Sequence, residues 1–93
     1  MIKLLLVEDN PVDAQLTRDL LAEWPLDQFE LTHAPILAAG LTRLSRDRFA
    51  VVLLDLSLPD THGLSTVTQV LATSPGVPVV VLIDAGSASA SEI

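Results

Sequence analysis

Phe49-Ala-Val-Val-Leu-Leu-Asp-Leu-Ser-Leu-Pro-Asp-Thr-His-Gly63 is the stretch that decides the fold. An uncharged apolar run ends abruptly at a carboxylate, Asp55, and a turn-rich loop with Pro59 and Gly63 follows. A short continuous apolar run bounded by turn residues reads as a strand buried on both faces. Such strands belong to parallel sheets that carry helices on either side.

The same signature recurs on both sides of this stretch. Ile2–Val7 is nearly all apolar and stops at Glu8-Asp9-Asn10-Pro11, and Val77–Ile83 runs into Asp84. Between the runs lie one-sided helical patterns. Asn10 suits an N-cap with Pro11 at the first helical position, where a missing N–H costs nothing, and Asp13 falls in the favourable first turn. Val12, Leu16, Leu20, Leu21 and Trp24 then keep near-helical spacing until Pro25, which predicts that they face the core. Phe29–Ala34 alternates apolar and polar residues and reads as an edge strand. Pro35 opens a second predicted helix with Ile36, Ala39, Gly40 and Leu44 on one side, ending near Asp47. Gly40 there signals close packing against the sheet. A third helix is expected over Leu64–Thr73, with Leu64, Val67, Val70 and Leu71 inward, closed by Ser74-Pro75-Gly76. The order β-α-β-α-β-α-β predicts an α/β flavodoxin-like parallel sheet, strand order 2-1-3-4, with helices on both faces. Residues 1–84 form the expected domain, and 85–93 read as a small, polar loop or tail.

Composition narrows the function. Ninety-three residues with 49% hydrophobic content can support one small core. Cysteine is absent, which excludes disulfides and thiolate metal sites. A net charge of −7 argues against direct binding to a nucleic-acid backbone, and Arg43, Arg46 and Arg48 read as the solvated end of a helix. The apolar opening is far shorter than the ~20 residues of a membrane span, and no small-residue cleavage site follows it. A cytoplasmic protein is the expectation.

Ligand sites in open parallel sheets lie beyond the carboxyl ends of the strands, where strand order reverses. Glu8 and Asp9 after the first strand, and Asp55 after the third, would converge there. Three like charges at close quarters call for a cation, and oxygen-only ligands suit Mg2+. A carboxylate beside such an ion can attack a phosphoryl donor and form an acyl phosphate.

Leu5-Leu-Val-Glu-Asp-Asn10, taken with Val52-Leu-Leu-Asp-Leu-Ser-Leu-Pro-Asp60 and Gly63, closely resembles the receiver domains of two-component response regulators, from Ile2 to about Leu82. The resemblance implies that Asp55 is the phosphoacceptor, loaded by a histidine kinase or phosphotransfer protein. It implies that Asp9 contacts magnesium directly, Glu8 mainly through water, and that the Ser57 backbone carbonyl is a further ligand. Pro59 and Gly63 would shape the loop. It implies a signalling acceptor rather than a turnover enzyme. Two features depart from the family pattern. Ile83 stands where members carry a Ser or Thr whose hydroxyl follows the phosphoryl group, and isoleucine has no such donor. The chain is expected to lack the family's fifth strand, with its lysine, and the last helices, while Lys3 sits at the wrong end of the sheet.

These departures keep two alternatives open. One is a receiver-like interaction module that does not switch, and the other is a shortened or engineered half-domain that assembles as a homodimer through strand four, left apolar at the sheet's edge. His62 reads as an exposed loop residue, His33 as a structural residue of the edge strand, and Trp24 as a packing residue.

Overall fold

In a computed structural model, which describes residues 2–23, 29–56, 58–61 and 63–82, the chain alternates strands and helices throughout. The elements are β1 (Ile2–Val7), α1 (Pro11–Ala22), β2 (Phe29–Ala34), α2 (Leu37–Arg46), β3 (Val51–Asp55), α3 (Leu64–Thr73) and β4 (Val79–Leu82). All strand pairs are parallel, and the order is β2-β1-β3-β4, as the sequence predicts. Trp24, Ser57, His62, Ile83 and the expected domain boundary after residue 84 lie outside the described residues.

The two central strands carry the core. Leu5, Leu6, Val7, Val52 and Leu54 are all fully buried, each burial worth roughly 1.5–3 kcal/mol. Leu5, Val7, Ala34, Val52 and Leu54 pack with Leu37 and Leu44 of α2 and Val70 of α3. Right-handed crossovers put α2 and α3 on this face and α1 on the other, because the chain steps one way from β1 to β2 and the opposite way thereafter. Gly40 is where α2 meets the sheet: a Cβ built there would lie 2.9 Å from Val7 Cγ2. Packing, rather than backbone freedom, selects glycine at this position.

Several inward faces differ from the sequence reading. Val12, Leu16 and Leu20 are 72%, 56% and 54% exposed, and α1 buries Ala14 instead. Periodicity marks a stripe that favours burial, but no described element covers this one. Ile36 and Leu64 are likewise exposed, Leu71 is 42% exposed, and α3 buries Thr66 and Val70. The second helix begins at Leu37, so Pro35 and Ile36 precede it. β3 starts at Val51 rather than Phe49, whose buried ring lies beneath Lys3 at 5.5 Å. β4 begins at Val79 and not at Val77.

The helix starts show two ways of satisfying orphan amides. Asn10 Oδ1 accepts from the N–H groups of Val12 and Asp13, as its position predicts. Ile36, at the start of α2, has no polar side chain to offer. Asp60, far along the chain, supplies the cap: its two carboxylate oxygens accept from Leu37 N and Ala38 N, each at 2.9 Å. These two bonds hold the Asp60 carboxyl below its ordinary pKa.

Candidate metal centre and acceptor site

The register brings the acids together. Val7 pairs with Leu54, so the next residue on each strand, Glu8 and Asp55, emerge side by side at the sheet's reversal point. Carboxylate oxygens of Glu8, Asp9 and Asp55 all lie within 4.8 Å of one another. Glu8 and Asp55 are buried at 5% and 8% exposure, while Asp9 faces solvent. The donors are hard oxygens, the charges crowd, and one side is open to water, which together fit a hydrated magnesium ion.

Glu8 is tightly held. Its N–H donates to Ala34 O at 3.0 Å, continuing the β1–β2 ladder past the end of the strand. His33 Nε2 lies 2.7 Å from its backbone oxygen, and its Oε1 accepts from Asn10 N at 3.1 Å. Burial pushes the Glu8 carboxyl up from 4.5 to about 7; the Asn10 amide opposes this, while Asp55 and then Asp13 add to it.

That shift gives a pH prediction. Folded Glu8 retains a proton that the unfolded chain releases, so its contribution to stability is fully present below about 4.5 and is lost as pH rises through about 7. In urea titrations without divalent cations, the stability of wild type relative to Glu8→Gln should fall across this window. Saturating magnesium should remove the trend, because the cation favours the carboxylate. A flat difference without metal would contradict the reading.

The loop after Asp55 folds back on itself through Leu58 N to Thr61 O and Gly63 N to Leu56 O, both 2.9 Å. Buried Leu58 anchors it below, and Asp60 pins it to α2. Gly63 has φ 73° and ψ −155°, a conformation closed to side-chain-bearing residues, although nothing lies within 4 Å of an added Cβ. The constraint is therefore the backbone angle and not space. Sequence reasoning missed the Asp60 cap, and it read His33 as a structural residue without its bond to Glu8. For Asp60 a signal existed: a helix opening on Pro-Ile must draw its cap from elsewhere.

The family model for the response regulator receiver domain matches residues 4–92. The chain belongs to that family. Receiver domains are signalling modules, and this receiver has an acidic pocket compatible with magnesium and aspartate phosphorylation. Among curated proteins it is 35% identical over 81 residues to the swarming motility regulation protein RssB of Serratia marcescens, matching 87% of this chain and 36% of that one. The receiver spans about a third of the length of the curated relatives it matches. Among solved structures it resembles the receiver domain of sensor histidine kinase PA1611 from Pseudomonas aeruginosa PAO1, which has a magnesium ion coordinated in its active site cleft. That likeness has TM-score 0.78 and 25% identity, covering 98% of this chain and 74% of that one. It also shares its fold with a chain in the complex of histidine kinase ThkA with response regulator TrrA, at TM-score 0.74 and 21% identity, covering 87% of this chain and 67% of that one. No helix among the described residues is long and apolar enough to cross a membrane.

Proposed function

We propose that this receiver accepts a phosphoryl group on Asp55 from a histidine kinase or phosphotransfer protein, with magnesium held by Glu8, Asp9, Asp55 and the Ser57 backbone carbonyl. The convergence of three carboxylates within 4.8 Å at the ends of β1 and β3 carries this reading. Magnesium supplies neutralisation of charge on the transferring oxygens. The chain's own residues do the rest: Asp55 attacks, the Asn10 amide orients Glu8, and Pro59 and Gly63 shape the loop that follows Asp55. The protein thereby acts as a signalling acceptor rather than a turnover enzyme, and its location under this reading is the cytoplasm. A net charge of −7 argues against direct contact with nucleic acid.

Magnesium titration followed by amide chemical shifts tests the centre. Wild type should show saturable shifts around residues 8–10 and 55, with weak affinity because few protein ligands meet the ion. Asp9→Asn combined with Asp55→Asn should lose them. An unchanged response in the double variant would exclude the site.

Ile83 favours a second reading for the readout, since it offers no hydroxyl to follow a phosphoryl group; phosphorylation should then cause little conformational change. Assembly is the other open property. Val80 and Val81 of β4 are 47% and 40% exposed on a strand whose outer edge has no partner among the described residues. We infer a homodimer through this strand. Light scattering at tens of micromolar should find a dimer, and Val80→Lys a monomer or an unfolded chain. A stable wild-type monomer would refute the dimer.

A further inference from the structure

We propose that His33 is a positioning residue for the magnesium centre, acting through the backbone of Glu8. The inference rests on the site reading above, and its observation is a clamp. Two consecutive β2 residues grip both peptide groups of Glu8: Ala34 O receives the Glu8 N–H at 3.0 Å, and His33 Nε2 lies 2.7 Å from the Glu8 carbonyl oxygen. Backbone pairing of β1 with β2 ends at Val7 with Ala34, so it cannot supply the second bond. A side chain does so instead.

The chemistry of the bond fixes the ring. A carbonyl oxygen only accepts, so Nε2 must carry the proton, and Nδ1 is then left to face away from the bond. Half-buried on β2, opposite Leu6, the ring holds the point where β1 turns from ladder to ligand loop. Both ends of this turn are therefore fixed, by His33 on the carbonyl of Glu8 and by Glu8 Oε1 on the Asn10 N–H at 3.1 Å. Asp9, the exposed ligand, lies between these two ties. Groups that orient metal ligands from outside the coordination shell shift affinity about 10–100-fold when removed.

The test compares three variants by magnesium titration, read from amide shifts, with stability measured separately in urea without metal. His33→Gln places an amide donor near the position of Nε2, His33→Asn carries the same donor too short to reach, and His33→Leu has none. Gln should bind magnesium within about threefold of wild type, while Asn and Leu should weaken binding roughly tenfold. Should Leu fail to fold, Gln against Asn decides. A purely structural histidine would lower stability in Asn and Leu and leave affinity unmoved in all three, which would overturn the proposal. Wild-type binding matched by Asn and Leu would overturn it alone. A wild type blind to magnesium would overturn both it and the site reading.

Discussion

Asp55→Asn should leave a folded chain that takes up no phosphoryl group from a small phosphodonor, whereas wild type with magnesium should gain one. The reaction joins an Asp55 carboxylate oxygen to phosphorus as the bond from phosphorus to the donor's leaving group breaks, and that group departs with the electron pair. An amide at position 55 offers no comparable nucleophile. The neighbouring acids are poor substitutes for different reasons. Glu8 is buried, and its Oε1 is tied to the Asn10 amide. Asp9 is exposed to solvent. Intact-mass measurement before and after base treatment reads the outcome, because an acyl phosphate is base-labile. Continued loading of Asp55→Asn would show that another residue is the acceptor.

Gly40→Val should lower stability by about 1–3 kcal/mol, a large share of the 5–15 kcal/mol typical of a domain. The contact responsible is specific: the new Cβ would stand 2.9 Å from Cγ2 of Val7, a fully buried, β-branched side chain with little freedom to yield. Glycine in a helix interior is itself unfavourable by about 1 kcal/mol relative to alanine, so a destabilising Gly40→Ala would show packing overriding propensity. Trimming the partner tests the cause. In a Val7→Ala background, Gly40→Ala should become neutral or stabilising in urea denaturation. Because Val7 immediately precedes Glu8, Gly40→Val should also weaken magnesium binding. A wild-type urea midpoint for Gly40→Val would refute the contact.

How much of this was legible in the sequence depended on the range of the interaction. Asn10 caps the helix that begins at the next residue, and its role was readable from neighbours alone. The meeting of Glu8, Asp9 and Asp55 was readable because strand ends and strand order suffice to place them. Gly40 was readable as a close approach, although not which side chain it met. Val12, Leu16 and Leu20 were misread because a periodic stripe says nothing about whether an element exists to cover it. His33 reaches Glu8 across 25 positions and Asp60 reaches Leu37 across 23, and no local pattern encodes either pairing.

The long reach of Asp60 bears on the order in which the chain can assemble. Helix caps ordinarily precede their helix by a residue and can form as soon as it does. Here the carboxylate that satisfies Leu37 N and Ala38 N is made later in the chain than the whole of α2 and β3. During synthesis α2 therefore emerges without this cap, which can form only once the chain past β3 has been made. Closing that long segment carries an entropic cost that a local cap avoids. The first turn of α2 should accordingly be among the last protected against hydrogen exchange during refolding, and among the first to open when the loop after Asp55 is disturbed.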